Sequence, residues 1–531
     1  YDSVRVANFH RCARFLSLFE NEGCRMVKMS CEQHDHFAAG SQFVTHLTGR
    51  LLARLQPKPS PIATSGYQSL LRLVDNTCSD SFDLFYALYS HNPNAGEQLQ
   101  QFGEAFDQLR KDLISFEVSG GAPAPSGSTD SFRLSKRVTS MALSRTVAVT
   151  DAAAALRREG HAVISLSVGE PDLLPPEQVM AAAHAALRSG KVRYTENAGM
   201  HELRAEICTY LRVAKGVSYE PAQVLCSSGA KASLLQAMMA LLEPGDEVLI
   251  PAPYWVSYPQ IAALCGATPV LVQTRAEDGF CLLAADMEAA ISPKTRALVL
   301  CNPSNPTGAV HPAPLLEKLA AVLRRHPQIV VIADEIYEQI TYDEPHVAFA
   351  SLPGMAERTV TINGFSKGAA MTGFRIGYLA APKPIAAAAN KIQSQNTSCP
   401  CSVSQHAALA ALREVPPDYR RDAVASFRAK RDYVLSRLRA VPGLSCPTPQ
   451  GAFYLFPTFS AFYGRITPAG KLINNSEALC LYLLETCHLA LVPGSAFGDD
   501  ECLRISYATS MEELATACDR ISEGLAQLAI D

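Results

Sequence analysis

The chain has 531 residues, 48% of them hydrophobic and 18% charged, with a formal net charge of -4. Its length suggests two or three domains, and a near-neutral balance without a basic face argues against nucleic acid as a partner. No run approaches the ~18 apolar residues that a membrane-spanning helix needs, so no membrane partner is expected.

The sixteen cysteines are scattered and sit largely inside apolar runs (Cys208, Cys226, Cys301, Cys480, Cys487). That pattern suits reduced, core-filling thiols better than a disulfide framework. The sequence opens on Tyr1 rather than methionine, which points to an upstream segment, and any targeting peptide would lie there. Residues 1–114 form a first unit. Gly23–Met29 alternates in part and predicts a strand, and the spacing of Phe37, Phe43, Val44, Leu47, Leu51 and Leu52 predicts a helix over His34–Leu55. Gly66–Val74, Ser81–Tyr89 and Gln98–Leu113 also read as helices, the last with Leu99, Phe102, Phe106, Leu109 and Leu113 on one face. One strand and mostly helices do not complete an α/β domain, so this unit looks like the back half of one. Residues 115–131, with the stretch EVSGGAPAPSGSTDS from Glu117, have little to bury and predict a flexible linker.

From Phe132 to Asp531 strands alternate with helices. Strands are predicted at Ala162–Ser167, Gln223–Ser227, Glu247–Pro251, Thr268–Gln273, Ala297–Cys301, Ile329–Ala333, Thr359–Asn363 and Ile376–Ala380, with helices such as Ala230–Leu242, Pro312–Arg325 and Pro417–Arg439 between and after them. Such alternation gives an α/β fold with a mainly parallel sheet covered on both faces, whose ligands gather at strand carboxyl ends. Nearly every polar motif here falls just after a predicted strand. Taken alone, each has a plain structural explanation. Asn302–Gly308 (N-P-S-N-P-T-G) is a turn cluster, Asp334 in D-E-I-Y caps a helix, and Ser228-Gly229-Ala230-Lys231 is an N-cap, though a helix start there could also bind phosphate. Trp255, the only tryptophan, is a core residue, and Arg504 makes a surface ion pair.

The stretch 359–379, TVTINGFSKGAAMTGFRIGYL, resists that treatment. Lysine is seldom fully buried, yet Lys367 stands at a turn between two apolar strands, with Arg375 eight residues on. One reading explains both: Lys367 forms a Schiff base with an aldehyde cofactor and Arg375 holds that cofactor's phosphate. Two hydrolase patterns compete. Gly364–Gly368 fits G-x-S-x-G, which requires a helix straight after Ser366, where the sequence instead predicts a loop. Ser228–Lys231 fits the S-x-x-K of β-lactamases, but neither S-D-N nor K-T-G occurs.

Joined together, these motifs lead to a family. The region from about Leu134 onward resembles the class I, fold type I aminotransferases that use pyridoxal phosphate, and more closely the bacterial-type aspartate and plant prephenate aminotransferases. The matching motifs are S-V-G-E-P-D (Ser167–Asp172), R-Y-T-x-N-A-G (Arg193–Gly199), P-A-P-Y-W-V-S-Y (251–258), N-P-S-N-P-T-G, D-E-I-Y (334–337), N-G-F-S-K and M-T-G-F-R-I-G-Y (371–378). G-A-F-Y-L-F (451–456), V-P-G-S-A-F-G-D (492–499) and R-I-S-Y-A-T-S (504–510) complete them in order. The resemblance implies a large domain over about 176–429, built on a mainly parallel seven-stranded sheet, and a small α+β domain from about 132–175 and 430–531.

The resemblance also implies roles. Lys367 carries the cofactor and moves the substrate's α-proton; Asp334 pairs with the pyridine nitrogen; Tyr337 and Asn305 donate to the phenolate oxygen; Trp255 stacks on the ring. Arg375, Ser366 and the helix start at Gly229, Ala230 and Lys231 hold the phosphate, with Tyr194 reaching it from the other subunit of a homodimer. Arg504 grips the substrate α-carboxylate in bidentate fashion, as lysine could not, with help from the backbone of Gly169. Trp255 and Asn305 border the substrate as well, and Thr146 and Lys231 face the second carboxylate of glutamate, aspartate or prephenate. The sequence departs from its relatives at Ala142 and Leu143, in place of a Lys-Pro pair, and at Gly368 and Phe374.

In the first unit, the runs 24–46 and 80–88 resemble the C-terminal half of plant-type arogenate dehydrogenases, which oxidise arogenate to tyrosine with NADP. The Gly-rich dinucleotide fingerprint belongs to the other half, and no G-x-G-x-x-G occurs in this chain, so NADP is expected only if that half is present elsewhere. Ser41, His46 and Asp80 are candidate substrate contacts in this segment. A zinc site among Cys24, Cys31, His34, His36 and His46 is disfavoured by irregular spacing, and no metal is expected. Together these readings predict a tyrosine-pathway fusion that makes arogenate from prephenate, in a plastid by resemblance to plant enzymes or else in the cytoplasm. The alternative is a general aspartate aminotransferase whose first segment only dimerises.

Overall fold

The computed structural model describes residues 9–22, 29–55, 57–58, 64–103, 105–106, 135 and 145–529. The chain divides into two units, Tyr1–Arg133 and Leu134–Asp531.

The described part of the first unit is helical. Helices span Phe9–Asn21, Cys31–Ala38, Val44–Arg54, Ser65–Cys78 and Phe82–Ser90. Ser30, Thr64 and Ser81 cap three of them by accepting from Gln33, Tyr67 and Leu84 backbone N–H groups. The helix expected over His34–Leu55 starts earlier than its apolar spacing indicates, because Ser30 and Gln33 form a capping box. A one-turn π segment, Ala39–Phe43, also interrupts it. Phe43, Leu47 and Ala95 form a small core with Phe85, Leu88 and Phe102 against it, and Phe43 stacks on Phe85 at 5.7 Å. Of the strand expected at Gly23–Met29, residues 23–28 lie outside the described residues, as does the linker. Of the helix expected over Gln98–Leu113, residues 98–103 and 105–106 are described and are helical.

The second unit contains twelve strands among the described residues: β1 (Ile164–Ser165), β2 (Val224–Ser227), β3 (Glu247–Ala252), β4 (Thr268–Gln273), β5 (Thr295–Cys301), β6 (Val330–Asp334), β7 (Thr359–Gly364), β8 (Gly377–Ala380), β9 (Tyr454–Leu455), β10 (Leu489–Ala490), β11 (Val492–Pro493) and β12 (Leu503–Ser506). Seven form one sheet in the order β2-β8-β7-β6-β5-β3-β4. Neighbours from β7 to β4 are parallel, whereas β8 runs antiparallel to both β7 and β2. Alternation along the central strands explains the apolar runs. Ile250, Val299, Ile332 and Ile362 belong to one core cluster, and Leu249, Leu298, Leu300 and Val331 to another. A strand covered on both faces has no solvated side to carry polar residues.

A second assembly is built from short strands. Antiparallel β11-β12-β9 and the parallel pair β1-β10 adjoin a core that includes Phe453, Leu503, Ile505, Val434, Leu438 and Leu483. The helix Pro417–Arg439 supplies Val434 and Leu438 to it and has the bounds its pattern predicts.

Two glycines set the closest approach in the main sheet. Gly364 and Gly377 face each other across β7 and β8. A Cβ on Gly377 would stand 2.5 Å from the backbone nitrogen of Ala230, where the helix Ala230–Leu241 begins. Any side chain here meets backbone, which cannot swing aside. Gly377→Ala is expected to destabilise the fold by about 1–3 kcal/mol, the usual cost of overpacking, read as a lower denaturant midpoint.

Candidate active site

Five strands of the main sheet deliver polar groups at their carboxyl ends. Asp334 is the last residue of β6, in register with Ile362 of β7 and Cys301 of β5. No helix follows it, so it is not a helix cap; its side chain is 5% exposed and sits below a cavity. Its carboxylate accepts from Tyr258 Oη at 2.7 Å and from the Ile336 N–H at 3.3 Å. Burial raises the Asp334 pKa, while those two donors and Lys367 hold it down.

Lys367 lies in the turn after β7. No helix follows Ser366; a single 3-10 turn, Thr372–Phe374, leads to Arg375, and the hydrolase elbow fails on geometry. Lys367 Nζ donates to the carbonyl oxygen of Gly169 and lies 5.8 Å from the ring centres of Tyr337 and Phe453. Burial lowers its pKa to about 8; Glu170 opposes that shift, and Arg504 and Arg375 add to it. The Gly169 carbonyl thus accepts from Lys367, a role separate from the backbone contact with substrate that the resemblance implies.

Arg504, on β12, is 3% exposed and makes no ion pair among the described residues, against the surface pair its motif alone would suggest. It donates to Asn305 Oδ1 at 3.1 Å and to the Ser167 carbonyl at 2.5 Å. Its guanidinium lies over Tyr454 at 4.7 Å and Phe497 at 5.0 Å. Its Nε is buried with no hydrogen-bond partner, and burial lowers its pKa.

The other side is cationic as well. The helix after β2 has Gly229 as N-cap at φ 86°, with no side chain closing its first N–H groups. A Cβ on Gly229 would stand 2.5 Å from Arg375 Nη2, so glycine lets that guanidinium reach the helix start. Arg375 itself takes the left-handed conformation, φ 49°, uncommon outside glycine. Lys231 Nζ lies 4.7 Å over the Trp255 ring, and burial followed by Arg375 lowers its pKa.

These side chains line one cavity of about 630 Å³. Of the residues singled out from sequence, Gly169, Ala230, Lys231, Trp255, Asn305, Asp334, Tyr337, Ser366, Lys367, Arg375 and Arg504 border it. Gly229 stands behind Ala230. Tyr194 is 93% exposed and does not border the cavity of its own chain. Thr146 falls in the first turn of the helix Arg145–Arg158; Ala142 and Leu143 lie outside the described residues. Gly368 fits closely, because a Cβ there would meet the side chain of Gln339. Sequence reasoning gave no role to Tyr258, Tyr454, Ser167, Glu170 or Asp151, which also border the cavity. Tyr258 could have been found: it follows Trp255 by three residues at a helix start, so both meet on one face.

In the first unit, Ser41 Oγ donates to the Phe37 carbonyl at 2.5 Å and is exposed. His46 Nε2 lies 3.7 Å from Asp80 Oδ2, and Arg50 donates to the Asp80 and Ser81 carbonyls. His46 and Asp80 come together; Ser41 bonds to its own helix.

A half-buried amine, a buried carboxylate, an aromatic face and an open helix start beside an arginine fit a phosphorylated aldehyde with a pyridine ring. Residues 161–521 match the family model described as aminotransferase class I and II. The chain therefore belongs to that family of pyridoxal-phosphate-dependent enzymes, and its second unit has their fold type I architecture. It is 51% identical over 395 residues to a Petunia hybrida protein named bifunctional aspartate aminotransferase and glutamate/aspartate-prephenate aminotransferase, covering 74% of this chain and 82% of that one. It is 48% identical over 396 residues to a Pinus pinaster aspartate aminotransferase, covering 74% and 80%. The crystal structure of the aspartate aminotransferase from Rhizobium meliloti matches 75% of this chain and 100% of its own at 44% identity, with a TM-score of 0.73. A separate match, over residues 51–118, is to a TYRAAT1-like C-terminal domain.

The lowered lysine pKa has a measurable consequence. In cofactor-free protein, Lys367 is protonated below its midpoint and nucleophilic above it. Its rate of modification by an amine-directed reagent, followed by peptide mass mapping, should rise with pH through a midpoint near 8, below that of surface lysines.

Proposed function

We propose that the enzyme transfers an amino group from glutamate or aspartate to prephenate, forming arogenate. The observation that carries this reading is that Lys367, Arg504 and Lys231 border a single cavity. Arg504 and Lys231 make no ion pair among the described residues, so two cations remain for a substrate with two carboxylates. The name of the Petunia hybrida relative supports prephenate as acceptor.

When bound, pyridoxal phosphate supplies an electron sink for the pair left behind as the α-proton departs. Asp334 would hold the pyridine nitrogen, Tyr337 and Asn305 the ring oxygen, and Trp255 the ring face. Arg375, Ser366 and the helix start at Gly229–Lys231 would hold the phosphate, joined by Tyr194 from the second subunit of a homodimer. Lys367 Nζ takes the α-proton and returns it; burial favours the neutral amine this requires. Arg504 fixes the α-carboxylate, and Thr146 with Lys231 fixes the distal one. The fully buried strands around the site exclude water from its floor.

Residues 1–114 we read as an arogenate/prephenate dehydrogenase-like segment, with the match to a TYRAAT1-like C-terminal domain as its support. Oxidation of arogenate would follow its formation on one chain, with NADP bound by a nucleotide-binding half outside this sequence. A plastid location is proposed from the likeness to plant enzymes; no described helix is long and apolar enough to cross a membrane. The second reading, a general aspartate aminotransferase with a dimerising first segment, is favoured by solved relatives such as the Thermus thermophilus aspartate aminotransferase with maleate, a four-carbon dicarboxylate.

Two experiments test these readings. With glutamate as donor, prephenate and oxaloacetate are compared as acceptors; amination of prephenate is expected, and its absence leaves the aspartate reading. Oxidation of arogenate with NADP by the chain supplied with a nucleotide-binding half would assign the first unit catalysis; absence of that oxidation favours dimerisation. Lys367→Ala should abolish transamination together with the visible absorbance of the bound cofactor, whatever the acceptor.

A further inference from the structure

Tyr454 is fully buried among side chains yet borders the cavity. Its hydroxyl lies 2.8 Å from that of Tyr337, and either oxygen can be the donor. The rings meet nearly edge-on at 5.7 Å. A phenol has one proton to give. The inference rests on the reading above, in which Tyr337 commits its proton to the cofactor's ring oxygen. The 2.8 Å bond then requires Tyr454 as donor. Two surroundings favour that direction. The Arg504 guanidinium lies 4.7 Å from the Tyr454 ring centre, and a nearby cation strengthens a phenol as a donor. Gly169 backs the hydroxyl closely, since a Cβ there would stand 2.7 Å from Tyr454 Oη, which leaves the oxygen facing Tyr337.

We propose that Tyr454 is a positioning residue for the transamination. Its hydroxyl donates to Tyr337 Oη and fixes the direction of the Tyr337 proton, and its ring is the platform beneath Arg504. A hydroxyl that accepts a hydrogen bond becomes a stronger donor in turn. Tyr454 therefore acts on the cofactor through Tyr337, and on the substrate carboxylate through Arg504. These two actions separate by substitution, because phenylalanine keeps the platform and removes only the hydroxyl.

The test uses the Tyr454→Phe and Tyr454→Leu holoenzymes. Weaker donation from Tyr337 destabilises the anionic ring oxygen, so in Tyr454→Phe the pH midpoint of the cofactor's visible absorbance should rise by about one unit, a tenfold change. KM for the amino donor should stay within about twofold. Tyr454→Leu should show the same spectral shift and in addition raise KM by about tenfold, as expected when an arginine loses its aromatic face. In a Tyr337→Phe background, Tyr454→Phe should add no further spectral shift, since it acts through the missing hydroxyl. An unshifted midpoint in Tyr454→Phe, an additive shift in the double variant, or an equal rise of KM in both variants would overturn the proposal. Failure of the underlying reading looks different: Lys367→Ala would keep the visible band, which overturns both.

Discussion

Burial of the central sheet on both faces confines its charge to the strand ends. The strands β3, β5, β6 and β7 run through apolar side chains on either side, and a charge within that layer would carry a desolvation cost of several kcal/mol. The polar groups therefore collect where strands stop, and the parallel direction puts those stops on one edge. Asp334, the Asn302–Gly308 loop, Trp255, the Gly229 helix start and Lys367 share a cavity because five strands end together.

The cavity is electrostatically unbalanced. Lys231, Lys367, Arg375 and Arg504 face Asp334, Glu170 and Asp151. Burial is the first cause of the lowered pKa of Lys231, Lys367 and Arg504, and neighbouring cations add to it for the two lysines. Four cations held this close are only partly offset by the three carboxylates, and an anion that enters would offset them further. On the proposed reading a phosphate and two carboxylates would supply that offset, which would couple folding to ligand binding. Burial first, and these neighbouring cations after it, lower the Lys367 pKa to about 8, so a larger share of its amine is neutral near neutral pH than for a surface lysine.

Much of this was legible in the sequence because local rules and chemistry agreed. The runs at 247–251, 297–301 and 359–363 have the length and β-branched content of buried strands, and each strand lies within a residue or two of its expected bounds. Lys367 was legible as a lysine unlikely to stand between apolar strands without a purpose, whereas Asp334 and Arg504 had plain readings alone and gained roles only through the family resemblance. What escaped were groups whose role depends on a partner far along the chain. Tyr454 is surrounded by Ala452, Phe453 and Leu455, so it reads as core, and its meeting with Tyr337 spans 117 positions. Ser167 and Gly169 act through their carbonyl oxygens, which carry no side-chain signature. In the first unit, the π turn at Ala39–Phe43 breaks a periodicity that the sequence shows as continuous.

The antiparallel turn from β7 to β8 makes Lys367 and Arg375 parts of one hairpin. Both ends of that hairpin are locked, by the facing glycines Gly364 and Gly377 and by the helix start pressed against Gly377. The segment 365–376 therefore works as a ruler. It sets the span between an amine and a guanidinium, and on the proposed reading a ligand must match that span between its aldehyde carbon and its phosphate. An insertion of even one residue would keep every chemical group in the cavity and still lose the measurement.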